Sequence, residues 1–210
     1  GFWWIHVRRF EGSQKGGKGP TAPTIVANHV TALDGMFVAV ATGGQITGVG
    51  VRWLVHVPFA STIARAIHML VVGGAAASKP SRVSPPSDDA GQPVPKLSST
   101  DIIVEYQRRR AADPRILQLL IFPEGFTKAE RCLLRFRSGA FVAGEPVQPV
   151  VLRFPHRRRG ANISWVGSAG CHLFLMMSQW YNRAEVVFLP IYTPDASERA
   201  NPQLYADNVQ

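Results

Sequence analysis

His29 and Asp34 stand five residues apart at the end of an apolar run, Thr24-Ile25-Val26-Ala27, with Asn28 just before them. An imidazole is the side chain whose ordinary pKa suits proton removal near neutral pH. A neighbouring carboxylate can fix its tautomer and raise the basicity of the free nitrogen. Such a pair is what acyl transfer from a thioester to an alcohol needs. A second polar element, Phe122-Pro123-Glu124-Gly125, also closes an apolar run, with a rigid proline, a carboxylate and a flexible glycine.

Spacing alone does not bring His29 and Asp34 together. Five residues of regular helix turn through about 500°, leaving the two side chains about 140° apart. They meet only if His29 ends a strand and the chain turns before Asp34 opens the next helix. The plainer reading makes His29 a hydrogen-bonded turn residue, Asp34 a helix cap and Pro-Glu-Gly an ordinary turn. On the residues alone both readings stand.

The surrounding elements favour the first arrangement. Thr24–Ala27 reads as a strand buried on both faces, and residues 34–41 as a helix stopped by Gly43-Gly44. Phe2–Val7 is aromatic and β-prone, and Glu11–Pro20 is a Gly/Lys-rich loop. Further strands are expected over 49–55, 69–72, 117–122, 146–154 and 184–191. Helices are expected over about 61–67 and from a cap at Thr100 to just before Asp113-Pro114, with Ile102, Ile103 and Tyr106 on one face. Residues 73–99 carry Gly, Ala, Ser and Pro without periodicity and read as a mobile insertion. The alternation of strand and helix implies an α/β fold: a mixed, largely parallel sheet with helices on both faces, in one domain over 1–210.

The chain has 210 residues, 46% of them hydrophobic, enough for a sizeable core and inconsistent with a disordered chain. Its net charge of +9 suits anionic partners: nucleic acid, lipid headgroups or a phosphorylated small molecule. Arg108-Arg109-Arg110 and His156-Arg157-Arg158-Arg159 read first as solvated faces, and no nucleic-acid-binding motif accompanies them. Cys132 and Cys171 are too few for a disulfide framework or a cysteine metal site. The uncharged run 161–182 is broken by polar residues and reads as a strand followed by an apolar helix, not a membrane span. In that helix Cys171, Phe174, Leu175, Met177 and Trp180 are expected to face the core, while Trp3 and Trp4 suit a membrane interface. The chain begins without methionine and is expected to be a fragment, its anchor segments lying outside it.

Four ordered blocks carry a resemblance. Asn28-His29-x4-Asp34-Gly35 and Phe122-Pro123-Glu124-Gly125 resemble the first and third motifs of the glycerolipid acyltransferase superfamily, the lysophosphatidic acid acyltransferase type. Phe136-Arg137-Ser138-Gly139-Ala140-Phe141 and the stretch through Pro146-Val147-Gln148-Pro149 to Pro155 are similar to later motifs. The segments Phe188–Pro194 and Asn201–Val209 look like the branch acylating lysophosphatidylcholine or lysophosphatidylethanolamine. The resemblance implies a glycerol-3-phosphate-acyltransferase-like fold with His29 as base and Asp34 as its partner. It assigns Asn28, Pro123, Glu124, Gly125, Thr127, Arg137 and Pro149 to substrate binding. The implied donor is acyl-CoA and the implied acceptor a membrane lysophospholipid. No metal, bound cofactor or nucleic acid is implied, and the expected setting is the endoplasmic-reticulum membrane surface.

Two departures stand out. Phe126 intervenes before Thr127, where the superfamily has threonine directly after the glycine. The arginine of the second motif is absent, Gly73-Gly74-Ala75-Ala76-Ala77 standing in its place, with Lys79 and Arg82 the nearest cations for a phosphate. A catalytically silent lipid- or protein-binding relative therefore remains an alternative to the enzyme, and a basic nucleic-acid-binding domain a weaker one.

Overall fold

The computed structural model describes residues 2–13, 21–31, 33–51, 69–72, 98–127, 132–155 and 169–210. Among the described residues seven strands are formed: β1 (Phe2–Arg9), β2 (Thr24–Ala27), β3 (Ile46–Val51), β4 (Leu70–Val72), β5 (Gln118–Ile121), β6 (Val147–Arg153) and β7 (Tyr181–Phe188). They join in one sheet of order β1-β7-β6-β2-β5-β3-β4. Only β6 and β7 run antiparallel; every other neighbouring pair is parallel.

β2 lies between β5 and β6, with Thr24 opposite Leu119 and Ala27 opposite Val150. All four of its residues are buried, which explains why it reads as an unbroken apolar run. Its side chains alternate between two cores. Ile25 and Ala27 join Phe37, Val38, Leu152, Met176 and Ala184 on one face, while Val26 joins Ile103, Leu119, Phe141 and Tyr205 on the other.

The expected layering holds. α1 (Asp34–Ala41) and α3 (Ala169–Ser178) contribute to the first core. α2 (Ser99–Ala112), the single turn Ser138–Ala140 and α5 (Pro202–Val209) cover the second, with short α4 (Ala196–Ala200) beside α5. α1 ends at Gly43 and Gly44, whose φ values of 67° and 79° are left-handed and suit glycine.

Several boundaries move. α2 is capped by Ser98 rather than Thr100: the Ser98 hydroxyl accepts from the Asp101 amide and the Asp101 carboxylate accepts from the Ser98 amide. This reciprocal pair outcompetes a cap two residues later, and it ends the expected insertion at 97. β3 begins at Ile46 and β7 at Tyr181, each three residues earlier than expected. The expected strand end at 52–55, the helix at 61–67, most of the insertion and the basic run at 156–159 lie outside the described residues. Arg110 is not on a solvated face; it is buried and donates to the Thr21 hydroxyl at 3.1 Å.

α3 departs most. His172 and Met176, one turn apart, point inward and are buried, whereas Phe174 is 70% exposed, Met177 62% and Trp180 82%. Cys171 is exposed too. A helix this short offers the sheet one stripe, and residues 172 and 176 fill it, so 171, 174 and 177 fall on the far side. The outer side is as apolar as the inner one, which hides the inward stripe from sequence.

Candidate active site

The site is built where β2 and β5 end. Beyond Ala27 the Asn28 side chain takes over the pairing with β6. Its Nδ2 donates to the Leu152 carbonyl at 3.0 Å and its Oδ1 accepts from the Leu152 amide at 2.7 Å. The side-chain amide thus satisfies the backbone of β6 while the main chain of 28 and 29 leaves the sheet.

Three contacts then fix His29. Nδ1 lies 2.9 Å from Asp34 Oδ2, the ring stacks on Phe122 at 4.3 Å between centroids, and the His29 amide donates to Glu124 Oε1 at 2.8 Å. In the neutral ring, an ionised carboxylate, which only accepts, selects the tautomer with the proton on Nδ1 and the lone pair on Nε2. The imidazole is 23% exposed and the Asp34 side chain wholly buried, so the free nitrogen can be reached while its partner cannot.

Burying Asp34 is made tolerable by the turn around it. Oδ2 also accepts from the amides of Val30 at 2.5 Å and Thr31 at 2.9 Å, and Asp34 opens α1 at its positive end. The Thr31 hydroxyl accepts from the Leu33 amide at 2.9 Å, closing the turn. Asp34 Oδ1 has no partner among the described residues. The arrangement is the strand-turn-helix geometry that lets His29 and Asp34 meet.

Glu124 is 4% exposed, and each of its carboxylate oxygens is engaged. Oε1 takes the His29 amide and Oε2 the Leu134 amide at 3.0 Å. This carboxylate ties the strand end that carries His29 to the segment approaching Arg137. Next to it Gly125 has φ +75°, and a Cβ there would come within 3.1 Å of the Arg137 guanidinium. Arg137 thus lies flat against the turn, its amide donating to the Pro123 carbonyl at 3.0 Å and its guanidinium 5.1 Å from the Phe126 ring centre. Phe126 fills the position before Thr127 by turning its ring outward, and Thr127 follows, partly buried.

His29, Asp34, Asn28, Pro123, Glu124, Gly125 and Arg137 therefore gather at one edge. Pro149 does not: it is paired with Val26 inside the sheet, where its carbonyl accepts from the Leu189 amide at 3.0 Å. Lys79 and Arg82 lie outside the described residues. Among the described residues no cluster of histidine, cysteine, aspartate or glutamate has the geometry to hold a metal.

One further group near the site has no spacing to mark it. His172, buried on the inward side of α3, is held below the ordinary histidine range by burial, against the opposing pull of the Asp34 carboxylate. Its only sequence signal is a histidine inside an apolar helix.

A family model described as Acyltransferase matches residues 20–153. The chain belongs to the acyltransferase family. Human lysophosphatidylcholine acyltransferase 1 is 41% identical over 109 residues, which are 51% of this chain and 20% of that protein. Lysophospholipid acyltransferase LPCAT4 of Xenopus tropicalis is 43% identical over 114 residues, 54% of this chain and 22% of that one. The chain thus spans about a fifth of the length of these relatives. The crystal structure of the 1-acyl-sn-glycerophosphate acyltransferase PlsC from Thermotoga maritima shares the fold, with a TM-score of 0.52 at 14% identity over 97% of this chain and 68% of that one. The family match spans both polar elements of this acyltransferase chain, from before His29 to the end of β6.

Proposed function

We propose that this chain is the catalytic domain of a lysophospholipid O-acyltransferase. It would move an acyl chain from acyl-CoA to the free glycerol hydroxyl of a lysophospholipid at a membrane surface. Lysophosphatidylcholine or lysophosphatidylethanolamine is the favoured acceptor and lysophosphatidic acid a further one, the names of the similar human and frog proteins supporting this class. The observation that carries the reading is the 2.9 Å contact between His29 Nδ1 and the buried Asp34, which leaves Nε2 as a base at the end of β2.

In this mechanism Nε2 removes the acceptor hydroxyl proton as that oxygen attacks the thioester carbonyl. The tetrahedral intermediate collapses, the carbon–sulfur bond breaks, and the imidazolium returns its proton to the departing CoA sulfur. Asp34 holds the ring's tautomer and stabilises the transient imidazolium charge. Glu124 acts through the backbone: by holding the His29 amide it sets where the ring can sit. Arg137, exposed beside Gly125, supplies a cation for a phosphate of either substrate.

The altered second motif, Gly73–Ala77, motivates the rival reading of a silent relative. Purified protein assayed with radiolabelled acyl-CoA and a panel of lysophospholipids separates the two. Turnover with any acceptor is expected. Its absence with every acceptor, from folded protein, would reject the enzymatic reading.

A further inference from the structure

Phe126 is the departure from the motif pattern that the mechanism leaves unused. The turn sets its place: the Gly125 amide donates to the Phe122 carbonyl at 3.1 Å, and the chain then passes through φ +75° at Gly125. The next side chain is thrown outward, and Phe126 is 62% exposed. Its ring nevertheless has a partner, the Arg137 guanidinium, whose Cζ stands over it at 5.1 Å from the ring centre. Gly125 supplies a second contact. A Cβ there would meet Cζ and Nε of the same guanidinium at 3.1 Å and Nη1 at 3.4 Å. The central carbon is as near as the nitrogens, so the turn approaches the flat side of the group and not its rim. The five N–H donors of a guanidinium lie in its plane, and contacts on a flat side use none of them. Arg137 is exposed, and among the described residues its side chain has no hydrogen bond and no ion pair. Arg135, two residues earlier, does the opposite: its Nε and Nη2 donate to the two oxygens of Asp207 at 3.0 and 2.7 Å. One arginine of this segment spends its fork inside the protein. The other is held in place with its fork open.

We propose that Phe126 is a positioning residue: with Gly125 it holds the Arg137 guanidinium by its flat side and presents the in-plane fork to the oxyanion of a phosphate ester. The identity of that ester as a substrate rests on the reading above; the clamp itself does not. A planar fork of N–H groups matches two oxygens of one phosphate, a fit that a lysine ammonium lacks. A free arginine would lose its rotamer freedom on binding, whereas one already held loses less. Threonine at 126 has no π face and could not hold the cation in this way. Position agrees with this role. The Arg137 amide donates to the Pro123 carbonyl at 3.0 Å, and Glu124, the next residue, accepts from the His29 amide at 2.8 Å. The fork and the imidazole are thus carried by one backbone network.

Nuclear magnetic resonance relaxation of the Arg137 Nε–H group, in the 210-residue chain, tests the clamp without turnover. The wild-type group should be nearly as ordered as rigid backbone, with an order parameter above about 0.8, and Phe126→Leu should lower it below about 0.6. The wild-type signal should shift on titration with coenzyme A or glycerol 3-phosphate and stay still with glycerol. Kinetics then test the use of the clamp. Phe126→Leu should raise KM by about two- to fivefold for one phosphate-bearing substrate, with kcat within about twofold, as expected when a cation–π contact at an exposed site is lost. Varying lysophosphatidylcholine at fixed acyl-CoA, and the reverse, tells whose phosphate is held. Phe126→Tyr keeps the ring and should keep the wild-type KM. In an Arg137→Gln background Phe126→Leu should add almost nothing, because the ring acts through the cation. A mobile wild-type guanidinium, no shift with either phosphate ester, or an unchanged KM for both substrates would overturn the proposal. So would a Phe126→Tyr variant that behaves like Phe126→Leu, or an equal KM loss with and without Arg137. An ordered fork that takes these esters, in a chain that turns over no acceptor, defeats the enzymatic reading alone.

Discussion

Two buried glutamates, Glu124 and Glu198, solve the same problem with different consequences. Each uses both carboxylate oxygens. Glu198 accepts from the Tyr192 hydroxyl at 2.6 Å, the Asn208 side chain at 2.7 Å and the Asp195 amide at 2.8 Å, knotting α4 and α5 to the chain after β7. Glu124 accepts only backbone amides, those of His29 and Leu134. The first carboxylate holds elements against each other. The second holds His29 through its backbone and leaves the ring to its own contacts with Asp34 and Phe122. Asp34 stands between them: it too is fully buried, but its third donor is the imidazole itself.

This contrast orders the expected effects. Asp34→Asn keeps shape but removes the charge that steadies the imidazolium, so kcat should fall by about 10²–10⁴-fold in acyl-transfer assays. Near-wild-type kcat would place the chemistry elsewhere. Glu124→Ala leaves two amides without acceptors and should cost about 2–4 kcal/mol in denaturant unfolding, together with a kcat loss. A stability loss with unchanged kcat would make Glu124 a purely structural residue like Glu198. Arg137→Gln should raise KM for a phosphate-bearing substrate by about tenfold with kcat nearly unchanged. A fall in kcat alone would contradict a binding role.

The Glu198 knot makes a prediction of sign rather than size. Its hydrogen bonds from Tyr192 and Asn208 hold the carboxyl below the ordinary glutamate range. A carboxyl whose folded pKa is depressed contributes stability above its unfolded pKa and loses it as pH falls through the folded value. Acid should therefore lower Tm below about pH 4.5, and Glu198→Gln should flatten that limb of the profile. An unchanged acid limb would remove Glu198 from the account.

What was legible in sequence follows from range. The strand Thr24–Ala27 and the helix from Asp34 are local patterns, and both are found with the bounds read for them. The His29–Asp34 contact spans five residues, so a turn between two readable elements was enough to anticipate it. The Asn28 grip on Leu152 and the Glu124 grip on His29 cross 124 and 95 residues, and no spacing rule reports which amide a carboxylate will meet. α4 and α5 went unread although their signals are local: Asp195 with Glu198 makes a capping box, and Asn201-Pro202 a cap with proline in the first turn. The outward side of α3 was misread for another reason. A helix whose outer side is as apolar as its inner one, and whose one histidine, His172, faces inward, carries no polar stripe to say which side meets the sheet.

The central claim is that His29 is the base. The most direct measurement is single-turnover transfer from radiolabelled acyl-CoA to lysophosphatidylcholine, by wild type and by His29→Gln of matched circular dichroism and Tm. The account predicts acylated product from the wild type and a variant rate at least about 10³-fold lower. Transfer by His29→Gln within tenfold of wild type, roughly 1.4 kcal/mol of barrier, would contradict it.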